Sequence, residues 1–356
     1  MYAVIMAGGR GTRFWPLSRE KKPKHLLHIT GSQTVIQKTI ARIQPLIPQD
    51  NMYIITGESH CDEVIRQCSL VPGKNIVAEP VGRNTAPCIG LAALYIKQKD
   101  PDAVMVVLPA DHLITEEDRF REALMTAGEM AQRGNYLITI GVEPTEPATG
   151  YGYIEQGDLS TSIGGNDIFN VASFREKPDF QQASEFIDSG KFFWNSGIFV
   201  WKATTILSAI RNFLPDLYQG LEIIEESLGT EKEKEVIRDV YESTSPISID
   251  YGVMEKVQGT LLIKGDFGWN DIGDWNALYD IFERDRTGNA IRGPVRTVDS
   301  ADTMVYSPHK LVALVGVKNL IVVETEDALL VCHKDRSQDI KKVVEILEKE
   351  NMKEYL

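Results

Sequence analysis

Residues 2–12 read Tyr2-Ala-Val-Ile-Met-Ala-Gly-Gly-Arg-Gly-Thr12, an apolar run followed at once by a glycine-rich segment. An apolar run without polar alternation is typical of a strand covered on both faces, so we predict a buried strand over Tyr2–Ala7. The glycines that follow let the backbone turn sharply. Together they predict the first strand of an α/β sheet, with a loop at its carboxyl end where a ligand can approach closely.

Strand-like and helix-like segments alternate from this point to about residue 142. Further buried strands are predicted over residues 52–56, 75–78, 103–108 and 136–142. Helices are predicted between them over residues 32–47, 58–68, 84–97 and 116–132. Ser32 and Asn84 are the predicted N-caps of two of these helices. Repeated βα units imply a Rossmann-like, doubly wound and mostly parallel sheet with right-handed crossovers.

The pattern changes after about residue 150. Strands predicted over residues 151–155, 169–176, 192–201 and 260–264 lie among helices near 180–188, 203–213, 216–226 and 231–242. After residue 285 the chain contains short Val-rich strands and a closing helix. We therefore predict a small accessory β-rich domain over residues 285–356, with a short β-helix as one form that it can take.

Composition and charge exclude several classes of function. The 356 residues include 38 Lys and Arg against 51 Asp and Glu, a formal net charge of −13. This acidic balance argues against nucleic-acid binding, which needs a basic face. No stretch approaches the ~18 apolar residues of a membrane span, and the N-terminal segment lacks the basic region of a signal peptide. We expect a cytoplasmic protein whose cysteines, without metal-ligand spacing, are buried thiols at Cys61, Cys68, Cys88 and Cys332.

The glycine-rich turn opens a basic segment. Six Lys or Arg and one Glu lie between Arg10 and His25, a local net charge of +5 in an acidic chain. Glycine N–H groups together with clustered cations suit a polyphosphate. The segment lacks the Gly-Lys-Ser/Thr end of a P-loop and the third glycine of a dinucleotide fingerprint. A glycine turn beside a solvated basic loop is the alternative.

Asp111 follows the predicted strand 103–108, in Leu108-Pro-Ala-Asp-His112. Ligands of open α/β sheets bind at the carboxyl ends of the strands, and Mg²⁺ beside phosphates prefers carboxylate oxygens. Asp111 is therefore a candidate Mg²⁺ ligand. The alternative is an Asp that caps the following helix. His112 is given no catalytic role.

Glu79 follows the short strand 75–78 and precedes Arg83-Asn-Thr-Ala-Pro87. An ionised carboxylate can accept hydrogen bonds from the N1–H and 2-amino groups of guanine, and it would repel the acceptor N1 of adenine. Glu79 is therefore a candidate for reading the base. A surface turn residue is the alternative.

A series of motifs covers roughly residues 1–280 in order. They are Gly8-Gly-x-Gly-x-Arg-Phe-Trp-Pro-Leu-Ser18, Pro23-Lys24, Arg83-Asn-Thr-Ala-Pro87, Leu108-Pro-Ala-Asp-His112, Thr149-Gly-Tyr-Gly-Tyr-Ile154, Phe174-Arg-Glu-Lys-Pro178, Trp194-Asn-Ser-Gly-Ile-Phe199, Ile249-Asp-Tyr-Gly-Val-Met-Glu-Lys256 and Gly268-Trp-Asn-Asp-Ile-Gly-Asp-Trp275. This series resembles the sugar-nucleotide pyrophosphorylases, a nucleotidyltransferase family. Ala110 and Ile272 stand where that family often has Ser and Val, and both motifs keep their Asp.

The resemblance implies roles for individual residues. The nucleotide is expected at Ala7, Gly8, Gly9, Gly11, Asn84 and Thr85, the last two near guanine and ribose. The sugar phosphate is expected at Gly150, Glu176, Lys177, Asn195 and Asp250. The expected catalytic residues are Arg13, Lys24, Asp111 and Lys177. Asp111 and Asp271 are expected to bind Mg²⁺ as a pair.

The activity that the resemblance implies is transfer of GMP from GTP to mannose 1-phosphate, which gives GDP-mannose and pyrophosphate with Mg²⁺ as cofactor. The implied catalytic domain covers residues 1–284, with a nucleotide-binding half at 1–142 and a sugar-phosphate half at 143–284. Another sugar 1-phosphate as substrate, a non-catalytic nucleotide-sugar-binding subunit and a homodimer stay open. Many bacterial members of the family carry a further cupin-type isomerase domain. We expect that second activity to be absent, because 71 residues follow residue 285.

Overall fold

The structure, a computed structural model, describes residues 1–29 and 31–356. The chain divides into two compact units. Unit 1 contains residues 1–8 and 36–269, and unit 2 contains residues 9–35 and 270–356. The basic segment after the first strand therefore belongs to the same unit as the C-terminal part of the chain. The predicted domain limits, 1–284 and 285–356, stay a prediction.

Most predicted segments form the expected element, with ends that move by a few residues. The strands are β1 (Tyr2–Ala7), β2 (Met52–Gly57), β3 (Ile76–Glu79), β4 (Val104–Pro109), β5 (Leu113–Ile114), β6 (Ile138–Val142), β7 (Tyr153–Ile163), β8 (Asn166–Arg175), β9 (Phe192–Lys202), β10 (Leu261–Gly265), β11 (Trp269–Asn270), β12 (Ala290–Arg292), β13 (Val295–Val298), β14 (Met304–Tyr306), β15 (Val312–Val315), β16 (Leu320–Glu324) and β17 (Leu329–His333). The α-helices are α1 (Val35–Ile43), α2 (Cys61–Gln67), α3 (Thr85–Lys99), α4 (Glu117–Arg133), α5 (Phe180–Ser189), α6 (Ala203–Phe213), α7 (Pro215–Ser227), α8 (Glu233–Ser243), α9 (Trp275–Ile281) and α10 (Ile340–Lys349).

Unit 1 is built on one large sheet. Within the described residues it has nine strands in the order β3-β2-β1-β4-β9-β6-β10-β8-β7. Strand β1 pairs in parallel with β2 and β4, and β2 with β3. Strand β9 lies antiparallel between β4 and β6, and β7 and β8 add an antiparallel pair. Within this sheet, the parallel pairs among β1–β4 thus lie in the first half of the chain, where the βα alternation predicted them, and β6 pairs in parallel with the later strand β10.

Helices cover both faces of this sheet. Val4, Met105 and Val107 belong to an apolar core that includes residues of α3, α6, α7 and α8. Their strand neighbours Ile5 and Val106 are equally buried but lie outside that core. Because successive side chains of a strand point to opposite faces, these neighbours occupy the other face, where α4 packs against β4 and β9. The predicted doubly wound α/β fold is confirmed.

Unit 2 combines stacked short strands with the basic segment 9–35. Strands β12, β14 and β16 pair in parallel, as do β13 and β15, while β17 returns antiparallel to β16. The Trp15 indole donates a hydrogen bond to the backbone oxygen of Tyr355 (2.8 Å), and the Trp275 indole donates to that of Trp15 (3.1 Å). The Phe14 and Trp275 rings lie 5.3 Å apart. The C-terminal elements therefore support the segment that follows the first strand.

Two helix starts show where local signals suffice and where they do not. Asn84 caps α3 as predicted, because its side chain accepts a hydrogen bond from the Thr85 amide (2.8 Å). The prediction that Ser32 caps the first long helix is wrong, since α1 begins at Val35. The Val35 amide donates to the backbone oxygen of Leu27 (3.1 Å), so a loop carbonyl satisfies this helix end.

Among the described residues, no helix has the length and apolar composition needed to cross a membrane.

Candidate active site

Both units contain predicted site residues. Those in unit 1 are Ala7, Gly8, Glu79, Asn84, Thr85, Asp111, Gly150, Glu176, Lys177, Asn195 and Asp250. Those in unit 2 are Gly9, Gly11, Arg13, Lys24 and Asp271. The proposed metal ligands Asp111 and Asp271 thus come from different units, and their pairing stays a prediction.

In unit 1, Asn195 and Asp250 meet. The Asn195 side-chain amide nitrogen donates to an Asp250 carboxylate oxygen (2.8 Å), and the Asn195 amide oxygen accepts from the Gly197 N–H (3.1 Å). Asn195 lies on β9, whereas Asp250 begins a π-helical turn over Asp250–Met254. Burial raises the pKa of Asp250, and the hydrogen bond from Asn195 opposes that shift. The orientation of both side chains is therefore fixed before any ligand binds.

Glu176 lies in the same region. A Cβ atom placed on Gly152 would lie 2.3 Å from Glu176 Oε2, so the glycine makes room for this carboxyl group. The buried Oε2 atom has no hydrogen-bond partner among the described residues, while Lys177 Nζ lies 3.3 Å from Oε1. Burial raises the pKa of Glu176 to about 7, with a smaller contribution from the nearby Asp250 carboxylate. The Lys177 ammonium opposes this rise. This cluster thus combines a buried carboxyl oxygen, without a hydrogen-bond partner among the described residues, with an exposed cation.

Glu255 holds the loop that carries Glu176 and Lys177. Its carboxylate accepts a hydrogen bond from the Glu176 backbone N–H (2.9 Å). Lys177 has a φ of 48°, in the left-handed region, so this loop is tightly turned. Glu255 lies within a motif recognised from the sequence, but nothing local indicates its partner. A Cβ atom placed on Gly150 would meet nothing within 4 Å, so the space beside this glycine is open.

The expected base-reading side of unit 1 contains a buried carboxyl group. Glu79 ends β3 and is 6% exposed, so it is not a solvated surface turn residue. Burial raises its pKa to about 7, and the nearby Tyr241 hydroxyl partly opposes the shift. Asn84 has a φ of 70° and uses its side chain to cap α3. The Thr85 hydroxyl accepts a hydrogen bond from the Ile249 N–H (2.8 Å).

Asp111 lies just beyond the carboxyl end of β4, as expected. The preceding Ala110 donates its N–H to the backbone oxygen of Met6 on β1 (3.0 Å). The alternative role as a helix cap is wrong, because α4 begins at Glu117 and its N-cap residue is Glu116. His112 accepts a hydrogen bond at Nδ1 from the Trp269 indole (3.1 Å), which fixes the ring next to Asp111.

In unit 2, Arg13, Lys24 and Asp271 converge. Lys24 is 6% exposed, and its Nζ donates to the backbone oxygen of Asp271 (2.5 Å). It therefore does not belong to a solvated loop. A Cβ on Gly273 would lie 3.2 Å from Asp271 Oδ2 and 3.5 Å from Arg13 Nη1, so this glycine leaves space beside both groups. Gly11 has a φ of 63°, and a Cβ there would lie 2.7 Å from Lys24 Cβ.

The hydrogen-bonded residues that hold the Arg13 side chain were not predicted from the sequence. The Arg13 guanidinium donates to Gln338 Oε1 (2.9 Å), and the Gln338 amide nitrogen donates to Asp274 Oδ2. Asp274 is 6% exposed, caps α9 through Ala277 N–H (3.1 Å) and accepts from the Ser337 hydroxyl (2.8 Å). The only local signal was an Asp before a helix, which indicates a cap and no more.

The carboxylates of Asp111 and Asp271 are suited to a hard divalent cation. Mg²⁺ binds through one or two carboxylates and keeps several waters, so it needs no large protein cage. Among residues 1–29 and 31–356, no group of three or more His, Cys, Asp or Glu is arranged to hold a metal ion. Asp271, beside Gly273, and Asp111, just beyond the end of β4, provide the donor type that such an ion prefers.

Comparisons with known proteins identify the family to which the chain is similar. The sequence profile of the nucleotidyl transferase family matches residues 2–288, and that of the MannoseP isomerase/GMP-like beta-helix domain matches residues 293–347. A mannose-1-phosphate guanylyltransferase of Salmonella muenchen is 40% identical over 357 residues, which cover 99% of this chain and 74% of that protein. The chain belongs to the mannose-1-phosphate guanylyltransferase family.

Two further relatives support membership of the mannose-1-phosphate guanylyltransferase family. The xanthan biosynthesis protein XanB of Xanthomonas campestris pv. campestris is 39% identical over 347 residues, which cover 96% of this chain and 72% of that protein. A solved structure described as mannose-1-phosphate geranyltransferase from Thermus thermophilus has a TM-score of 0.87 at 34% identity and covers 98% of this chain and 99% of that chain. The predicted family and the β-helix are confirmed. A divalent metal, a nucleoside triphosphate and a sugar phosphate are typical of this family.

Proposed function

We propose that the protein transfers GMP from GTP to mannose 1-phosphate, giving GDP-mannose and pyrophosphate. The observation that carries this proposal is the cluster of polar side chains in unit 1. There Asn195 and Asp250 are pre-oriented by their hydrogen bond, and Glu176 presents a buried acceptor without a partner among the described residues. Amide and carboxyl groups suit sugar hydroxyls, and the adjacent exposed Lys177 suits the phosphate of the same ligand.

The nucleotide is assigned to the residues that the family motifs indicate. Gly8, Gly9 and Gly11 would let backbone N–H groups approach the triphosphate, while Arg13 and Lys24 would neutralise it. The convergence of Arg13 and Lys24 beside Asp271 supports a shared role at phosphate oxygens. Glu79 would read guanine, with Ala7 and Asn84 close to the base.

Mg²⁺ is the divalent metal that we propose, with Asp111 and Asp271 as its protein ligands. When bound, it would neutralise phosphate charge as a Lewis acid. The two carboxylates are hard oxygen donors, which suits Mg²⁺ beside phosphates. This assignment rests on the motifs and on the donor chemistry of each residue.

The reaction is a displacement at phosphorus. An oxygen of the sugar phosphate forms a bond to the α-phosphorus of GTP, while the bond from that phosphorus to the α–β bridging oxygen breaks. Pyrophosphate leaves with the bonding electron pair. The attacking phosphate is already ionised at neutral pH, so this chain needs no general base, and its residues act by orienting the two substrates and neutralising charge.

A substrate panel tests the proposal. Pyrophosphate release would be measured with each of GTP, ATP, UTP and CTP against mannose, glucose and galactose 1-phosphates. We expect the highest kcat/KM for GTP with mannose 1-phosphate. A higher value for another pair would contradict the assigned substrates, and no release with any pair would contradict the transferase reaction itself.

A further inference from the structure

A short backbone ladder joins two segments of unit 1 that carry different halves of the proposed site. The Ile247 N–H donates to the Arg83 carbonyl (3.1 Å), and the Ala86 N–H donates to the Ile247 carbonyl (3.1 Å). The Thr85 hydroxyl completes the ladder by accepting from the Ile249 N–H (2.8 Å). Two hydrogen bonds from the Arg83 guanidinium to the backbone oxygens of Tyr241 and Glu242 (2.6 and 2.7 Å) hold the same segment.

The third bond of this ladder depends on a side chain. Ile249 is fully buried, so its N–H cannot exchange a lost partner for bulk water without rearrangement. The acceptor is the side-chain hydroxyl of Thr85. Valine has the same shape but offers no acceptor, and it would leave the Ile249 N–H unpaired.

The Thr85–Ile249 hydrogen bond lies directly before Asp250 of the proposed sugar-phosphate site in the chain. Ile249 is followed by Asp250, whose carboxylate is held by Asn195 and which opens the π-helical turn over Asp250–Met254. That turn is followed by Glu255, which holds the Glu176 N–H. The position of Ile249 therefore fixes where the turn begins and, with it, where Asp250 and Glu255 present their carboxylates.

We propose that Thr85 is a positioning residue for the proposed sugar-phosphate site, and that its hydroxyl couples the start of α3 to Asp250. This inference rests on the proposed function and changes one assignment within it. The family motif places Thr85 near guanine and ribose, whereas the Thr85–Ile249 bond gives its hydroxyl a structural partner on the sugar side. Loss of the hydroxyl should therefore raise the KM for mannose 1-phosphate more than the KM for GTP.

The test compares Thr85→Val with Thr85→Ser in steady-state kinetics, with each substrate varied in turn. We expect Thr85→Val to raise the KM for mannose 1-phosphate about tenfold, the effect of losing one buried hydrogen bond, and to change the KM for GTP by less than about twofold. Thr85→Ser keeps the acceptor and should restore both values. If Thr85→Val does not fold, Thr85→Ala gives the same comparison without the branched methyl group.

Thr205→Val is the matched control. Thr205 also lies in the first turn of a helix of unit 1, but its buried hydroxyl has no hydrogen-bond partner among the described residues. We expect wild-type kinetics from this variant. A Thr85→Val variant that raises only the KM for GTP would overturn the inference and return Thr85 to the nucleotide, and unchanged kinetics would overturn it as well. In either case wild-type turnover of GTP with mannose 1-phosphate would leave the proposed function standing, whereas absence of that turnover would remove both.

Discussion

Arg13 donates a hydrogen bond to Gln338, a residue 325 positions later in the chain (2.9 Å). The amide nitrogen of Gln338 donates in turn to the carboxylate of Asp274. Gln338 thus presents its oxygen to a cation and its nitrogen to an anion, so its orientation is determined from both sides. A residue of the C-terminal part of unit 2 therefore orients the arginine that we assign to the triphosphate.

Replacement of Gln338 tests this support. Gln338→Met keeps the length of the side chain and removes both hydrogen bonds, so Arg13 loses one of its fixed contacts. We expect the KM for GTP to rise about three- to tenfold, with the KM for mannose 1-phosphate unchanged. Gln181→Met, at an exposed glutamine of α5 that bonds to Glu185, is the matched control. Equal kinetics in wild type and Gln338→Met would show that Arg13 needs no such support.

Replacement of Lys177 and replacement of Arg13 should affect the use of different substrates. Lys177→Met removes a cation from the sugar side, and we expect the KM for mannose 1-phosphate to rise by about tenfold or more. Arg13→Met should impair the use of GTP by a similar factor. Initial rates with each substrate varied separately measure both effects, with exposed Lys191→Met as a control. A Lys177→Met variant that weakens only the use of GTP would mean that the two sides are assigned the wrong way round.

The two aspartates should be needed for metal-dependent turnover. Asp111→Asn and Asp271→Asn each remove one negative charge from the proposed Mg²⁺ ligands, and we expect kcat to fall about 100-fold or more with the fold retained. A metal chelator should abolish wild-type activity, and added Mg²⁺ should restore it. Circular dichroism checks the fold, and exposed Asp188→Asn serves as the control. Near-normal kcat in either variant would rule that residue out as a ligand.

Glu79 should make stability depend on pH. Its pKa rises from 4.5 to about 7 on folding, so the native state binds this proton more tightly than the unfolded state. The contribution of Glu79 to stability is fully present below about pH 4.5 and is lost as the pH rises through about 7, a change on the order of 3 kcal/mol. Glu79→Gln cannot titrate. Urea unfolding from pH 5 to pH 8 should show the wild type losing stability relative to this variant, and parallel profiles would exclude a raised pKa.

The same residue should set the base preference. An ionised Glu79 would accept two hydrogen bonds from guanine, each worth roughly 1.5–3 kcal/mol, whereas inosine lacks the 2-amino donor. Glu79→Gln should therefore weaken the use of GTP more than that of ITP and narrow the gap between them. The wild-type preference for GTP over ATP should also decline as the pH falls below about 7, where the carboxyl group gains its proton. If the variant keeps the full preference, backbone groups near Ala7 and Asn84 read the base instead.

The features that the sequence predicted correctly are those with local causes. The unbroken apolar run of β1 indicates a strand covered on both faces, and Asn84 caps the helix that it directly precedes. The candidate site residues came from family motifs, each of which is contiguous, and the roles of these residues stay predictions. The fold class, the β-helix and the family all followed from such short-range patterns.

The contacts that the sequence did not predict join residues far apart in the chain. The Glu176–Glu255 bond spans 79 positions, and the Thr85–Ile249 bond spans 164. Neither partner carries a composition or spacing signal that indicates the other. The predicted start of α1 was wrong for a different reason, because the backbone carbonyl of Leu27, in the preceding loop, accepts from the Val35 N–H in place of a side-chain cap at Ser32.

The most direct test of the proposed reaction follows the oxygen atoms. Mannose 1-phosphate labelled with oxygen-18 at its non-bridging phosphate oxygens would be incubated with unlabelled GTP, and both products would be analysed by mass spectrometry. Attack of the sugar phosphate on the α-phosphorus predicts that GDP-mannose carries all of the label and that pyrophosphate carries none. Label in pyrophosphate, or no formation of GDP-mannose, would contradict the account.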